Sequence, residues 1–146
     1  INSLDHCDII VLAVDSMETR LEIMDIITTN CEVSTGVSKL KAIIDARMGS
    51  ETLQLYIFHR KLWHFKGDIL PGDTIMQMYS ETWYSDEDGD SEPCAARSTA
   101  YCSTIAGSII TSEIKKIVKE DPVKTKEIVF NFPTLLLDAK IEAPKL

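Results

Sequence analysis

The chain predicts an α/β fold: a mainly parallel, Rossmann-like sheet with flanking helices and an antiparallel portion. Three observations point there. Asp8-Ile9-Ile10-Val11-Leu12-Ala13-Val14 is a short, nearly continuous run of branched apolar residues, as a buried parallel strand requires. A helical pattern follows it directly, and two β-rich segments follow that, Lys41 to Met48 and Thr52 to Phe58. A long amphipathic helix near the end precedes two more strand-like segments.

The first strand covers residues 8–14 and ends at Asp15. Residues 16–29 read as a helix with Met17, Leu21, Met24 and Ile27 or Thr28 on one face. Asp15 or Ser16 can cap it, with Glu18 or Thr19 placed to reach back. Lys41-Ala42-Ile43-Ile44-Asp45-Ala46-Arg47-Met48 is the second strand, closed by Gly49, and Thr52–Phe58 the third. Turn signals mark Lys66-Gly67-Asp68 and Leu70-Pro71-Gly72-Asp73, and the apolar stretch Thr74–Tyr79 fits either period. Residues 80–97 form an acidic crossover loop, with Ser85-Asp86-Glu87-Asp88-Gly89-Asp90-Ser91-Glu92-Pro93 at its centre and Cys94 just after. From Cys94 or Ser98 to Lys119 a broad apolar stripe predicts the longest helix. Lys115, Lys116 and Lys119 suit its negative end, and Asp121-Pro122 stops it. Residues 127–132 and 134–141 are two strands around Pro133.

A length of 146 residues suits one domain, residues 1–146, and a composition 45% hydrophobic and 26% charged is that of a globular protein. The net charge of −8 argues against a nucleic-acid partner, because phosphate backbones need clustered Lys and Arg. The 4 cysteines, Cys7, Cys31, Cys94 and Cys102, include no Cys-x-x-Cys pair, so neither a zinc site nor a disulfide framework is expected. The thiols read as reduced and the compartment as cytoplasmic. No apolar run reaches the roughly 18 residues of a membrane span, and no signal peptide is legible.

Two positions, Asp15 and Cys94, bear on chemistry. Asp15 stands where the carboxyl end of a parallel strand meets a helix, the place where open α/β sheets bind ligands. A single carboxylate there suits Mg²⁺, which takes one or two protein carboxylates and completes its shell with phosphate oxygens and water. The plainer alternative is a helix cap. Cys94 precedes a helix and lies three residues before Arg97, an environment that favours thiolate, while Asp88, Asp90 and Glu92 oppose it. The plainer alternative is an inert loop residue. Cys102 lies on the apolar stripe and reads as core. His6, His59 and His64 lack metal-ligand spacing, and Trp63, Phe65, Trp83 and Tyr84 read as packing or rim residues.

In order and spacing, three segments resemble the carboxy-terminal half of the ThiF/MoeB/HesA adenylyltransferases, relatives of the ubiquitin-activating enzymes. They are Val11-Leu12-Ala13-Val14-Asp15-Ser16-Met17-Glu18-Thr19-Arg20, then Ile43-Ile44-Asp45-Ala46-Arg47-Met48-Gly49 with Thr52–Phe58, and Pro93-Cys94-Ala95-Ala96-Arg97-Ser98 leading into Ile105–Ile117. The likeness spans roughly residues 5–135. It implies ATP and Mg²⁺ as cofactors and adenylylation of the carboxy terminus of a ubiquitin-like or sulfur-carrier protein. It places Asp15 at the magnesium and phosphates, Cys94 as acyl acceptor, and Arg47 as a further nucleotide-side residue. It also implies a homodimer.

The chain departs from the family in three ways. The family's glycine-rich turn, ribose-binding acid, phosphate-contacting lysine and arginines would all lie before Ile1. The zinc-binding cysteine pairs of many relatives are missing, and Met24 replaces a polar residue. Two expectations follow. Either an amino-terminal half on this or another chain completes an activating enzyme, or the chain is a catalytically incomplete interaction and dimerisation module of the same fold. A nucleotide- or cofactor-binding half-domain with Asp15 at a ribose is disfavoured, because no Gly-x-Gly-x-x-Gly is present.

Overall fold

In the computed structural model, residues 8–30, 40–49, 51–59, 72–85, 100–121, 123 and 125–141 are described. Strand β1 (Ile9–Leu12) leads into helix α1 (Met17–Asn30), which returns the chain to β2 (Ala42–Met48). A tight connection at Gly49, whose N–H donates to the Thr52 carbonyl at 2.9 Å, turns it back as β3 (Thr52–His59). Helices α2 (Gly72–Ser80) and α3 (Ala100–Val118) precede β4 (Thr125–Asn131) and β5 (Leu136–Ile141).

The five strands form one sheet in the order β1-β2-β3-β4-β5. β1 and β2 run parallel, with Ile9 opposite Ala42 and Leu12 opposite Asp45. The other pairings are antiparallel. This corrects the mainly parallel sheet expected from sequence: the α/β class holds, but one pairing in four is parallel. β2 is buried on both faces although it carries Asp45 and Arg47, and such burial does not require parallel neighbours.

Alternation along the strands divides the core into two layers. Ile10, Leu12, Ile43 and Phe58 pack with Met24 and Ile27 of α1 and Ile75 and Tyr79 of α2. Ala42, Ile44, Ala46, Leu53, Leu55, Ile57 and Ile128 pack on the other face with Cys102, Ala106 and Ile117 of α3. The buried face of α1 differs from the expected one. Leu21 is 40% exposed, and Arg20 takes a buried place between Met17 and Met24. An arginine is tolerated there because β2 offers it a carboxylate.

α3 ends in a Schellman motif, with Asp121 N–H donating to the Lys116 carbonyl, Glu120 N–H to that of Ile117, and Glu120 at φ 59°. The predicted start of this helix at Cys94 or Ser98, and its stop at Pro122, lie outside the described residues. β4 and β5 are joined by a turn at Phe132–Leu135, in which Asn131 Oδ1 accepts from the Thr134 N–H and hydroxyl and Leu135 takes φ 54°. Among the described residues, no helix is long and apolar enough to cross a membrane.

Candidate functional site

The carboxyl ends of β1 and β2 meet the start of α1. β1 stops at Leu12, two residues earlier than expected, and Asp15 lies in the bend that follows. Ser16 is the residue that caps α1. Its Oγ accepts the N–H of Thr19 at 3.1 Å and donates to Thr19 Oγ1 at 2.7 Å, which meets one of the helix's orphan donors. Asp15 is thus left exposed, and no hydrogen bond or ion pair holds its carboxylate among the described residues.

Just inward lies a polar cluster that the sequence does not announce. Asp45 is fully buried on β2, on the face that carries α1 and α2. Its two oxygens serve different elements. Oδ1 accepts from Arg20 Nε of α1 at 2.9 Å. Oδ2 accepts from Arg47 Nε at 2.7 Å and from the Tyr79 hydroxyl of α2 at 3.1 Å. Arg20 also donates to the carbonyls of Ser16 at 3.0 Å and Ala46 at 3.1 Å, so one guanidinium joins the first turn of α1 to the end of β2.

Arg47 is 7% exposed. It follows Asp45 by two residues on one strand, so both side chains share a face. Its Nη1 donates to the Thr82 carbonyl at 2.8 Å and its Nη2 to Thr82 Oγ1 at 2.9 Å. The guanidinium carbon stands 4.6 Å from the ring centre of Tyr56 and 5.5 Å from that of Tyr84, within cation–π range. Trp83 packs edge-on against Tyr79 at 5.7 Å. Trp83 thus packs, one of the two readings the sequence offers, while Tyr84 is 44% exposed.

The cluster's protonation follows from its surroundings. Burial pulls the Arg47 pKa down, but the charge of Asp45 and its hydrogen bond outweigh this, and the guanidinium stands above its ordinary value. Burial pushes the Tyr79 hydroxyl well above its usual range, and Asp45 pushes it further, so Tyr79 remains a donor at neutral pH. Two guanidinium groups face one carboxylate, which leaves a formal excess of one positive charge at the carboxyl ends of the parallel strands.

Of the residues singled out from sequence, the structure brings Asp15 and Arg47 to the same end of the sheet. Cys94 and the centre of the acidic loop lie outside the described residues, as do Cys7, Cys31, His6, His64, Trp63 and Phe65. Cys102 is buried in the α3 layer as expected, and burial raises its thiol pKa. His59 is buried on β3. Among the described residues, no group of three or more His, Cys, Asp or Glu side chains could hold a metal alone. A lone exposed carboxylate is nonetheless compatible with Mg²⁺ that brings phosphate oxygens with it.

Sequence reasoning missed Asp45, Tyr79 and Thr82 as site-forming residues. One signal was available: an acid in the middle of an apolar strand, with an arginine two positions on. No protein-family model matches the chain, and the search of curated proteins finds no significant match.

Proposed function

We propose that the chain is the carboxy-terminal part of a ThiF-type adenylyltransferase with a Rossmann-like fold, which activates the terminal carboxylate of a ubiquitin-like or sulfur-carrier protein with ATP and Mg²⁺. One observation carries this reading. Asp15 stands past the end of a parallel strand, exposed and, among the described residues, in no hydrogen bond or ion pair, because Ser16 does the capping. A carboxylate in that position suits a magnesium-bound polyphosphate better than it suits a structural role. The β-α-β unit, its antiparallel extension and the long helix on the opposite face are compatible with the family's order of elements.

In this reading, an oxygen of the partner's carboxylate attacks the α-phosphorus of ATP, the bond to pyrophosphate breaks, and an acyl adenylate forms. Asp15 would hold Mg²⁺ together with phosphate oxygens, and the metal would supply charge neutralisation as pyrophosphate leaves. The thiolate of Cys94 is the candidate acceptor of the acyl group, with AMP as leaving group. Arg47 lies beside this end of the sheet, and its three nitrogens already donate to protein oxygens, so it contributes position and charge. The edge of β1 supports an amino-terminal half on the same or another chain. Among the described residues nothing pairs with that edge, and an unpaired edge presents N–H and C=O groups to which another strand can add.

The test is ATP–pyrophosphate exchange and intact-mass analysis of the full-length protein with Mg²⁺ and the ubiquitin-like substrate. An acyl adenylate is expected, and Asp15→Asn should lower exchange at least tenfold while leaving the melting temperature unchanged. Mn²⁺ titration gives a second readout and should weaken in the same variant. If no adenylate forms from the full-length protein, the enzyme reading fails. A homodimer by sedimentation would then favour the interaction module.

A further inference from the structure

Two kinds of hydrogen bond hold Glu81, Thr82 and Trp83 after α2. Glu81, Thr82 and Trp83 donate their backbone N–H groups to Gln77, Tyr79 and Ser80, and the Thr82 hydroxyl donates to the Tyr79 carbonyl at 2.8 Å. All of these return to α2. The two bonds from Arg47 to Thr82 are of another kind, since they cross from the segment to β2. The Trp83 indole N–H is buried and meets no acceptor among the described residues, so it adds no second polar tie.

On its other side, Arg47 is bound to Asp45, and Asp45 to Arg20, whose Nη1 reaches the Ser16 carbonyl at the start of α1. A carboxylate is planar, and here each oxygen is claimed by a different guanidinium. The group cannot turn to follow one partner without losing the other. Both arms and the carboxylate are more than nine-tenths buried, so water is poorly placed to replace a broken bond.

We infer that Arg47 is a positioning residue: through Asp45 and Arg20 it fixes the Thr82–Tyr84 segment relative to the first turn of α1, so that the two segments move as one. The inference rests on taking the Asp15 end of β1 as the working side of the molecule. It extends that reading by naming what holds the Thr82–Tyr84 segment, which α1, β2, β3 and α2 separate in sequence from the end of β1. Arg47 acts here through Asp45 and Thr82 and needs no contact with a nucleotide.

Amide hydrogen exchange on the full chain, without nucleotide or partner, tests the coupling. Arg47→Lys keeps the charge and loses the planar fork. It should speed exchange about tenfold at 81–85 and also at 20–24 of α1, while amides in the middle of α3, on the opposite face, keep their rates. Thr82→Val removes the hydroxyl that accepts from Arg47 Nη2 and donates to the Tyr79 carbonyl, and keeps the Arg47 bond to the Thr82 carbonyl. Acceleration at 20–24 of α1 at about threefold is its diagnostic signal, which keeps the test open if Arg47→Lys folds poorly. Acceleration confined to 81–85 would make Arg47 a local anchor and overturn the coupling. Equal acceleration in α3 would mean general destabilisation and overturn it too. Since no ligand is involved, this result and the fate of the adenylylation reading are independent.

Discussion

Asp45→Asn is the sharpest probe of the buried cluster. The substitution preserves shape and removes the single negative charge between Arg20 and Arg47. The amide keeps one oxygen as acceptor and must present its NH₂ either to Arg20 or to Arg47 and the Tyr79 hydroxyl together. Two cations are then left in an interior where Arg20 is 3% and Arg47 7% exposed. Removing one partner of a buried ion pair costs about 3–5 kcal/mol, chiefly because the remaining charge is uncompensated. Unfolding entropy near the midpoint is about 2.1 cal/mol/K per residue, or about 0.3 kcal/mol/K for a chain of 146 residues. The melting temperature should therefore fall by about 10–16 °C, a large share of ordinary domain stability. Thermal melts by circular dichroism at pH 7 read this directly. Raising the salt concentration should recover little of the loss, because buried charges are weakly screened. A fall of less than about 3 °C, or full recovery in high salt, would refute the picture of a dry, load-sharing carboxylate.

Three further outcomes are expected. The raised pKa of Tyr79 means the folded state holds that proton more tightly than the unfolded chain does. Its contribution to stability should be complete below about pH 10 and lost as pH climbs from there towards the folded value, read by ellipticity alongside phenolate absorbance. Leu135 holds φ 54° while 76% exposed, so Leu135→Gly should relieve left-handed strain and raise stability by about 1 kcal/mol in a urea titration. Cys102 is buried and its thiol pKa raised, so peptide mapping after brief labelling of the native protein should find it unmodified, and labelled once urea unfolds the chain.

The elements that depend on local pattern were legible in the sequence. The β1 run, the extent of α1, the β2 and β3 segments and the body of α3 appear within a few residues of their expected places where described. α2 was ambiguous because its buried contacts are few. Ile75 and Tyr79 are its fully buried residues, Met76 and Met78 pack only partly, and Pro71-Gly72-Asp73 reads as a turn. Strand direction was misjudged for a different reason. Burial on both faces produces the same apolar run whether the neighbour is parallel or antiparallel, and the hairpins at Gly49 and at Phe132–Leu135 set the direction. The Asp45 cluster was hidden because its members lie 25 and 34 residues from one another along the chain, and only the fold makes them neighbours. Asp15 and Ser16 could not be ranked as caps from sequence, since both residue types serve equally well there.

Under the proposed function, the charges at the carboxyl end of β1 suit a metal-bound polyphosphate. An exposed carboxylate by itself attracts cations, and a net positive cluster attracts anions; here one lies immediately inward of the other. The amino end of α1 adds partial positive charge to the same place. A free metal ion would meet attraction from Asp15 and repulsion from behind it, and a free polyphosphate would meet the reverse. A magnesium-bound polyphosphate presents both signs and satisfies both. If the two charges do cooperate in this way, Asp15→Asn should weaken metal–nucleotide binding more than it weakens binding of nucleotide alone, and the difference should shrink as ionic strength rises, because Asp15 is exposed and its field is screened. Equal losses with and without metal would instead assign Asp15 a general electrostatic role and remove the reason for placing the metal there.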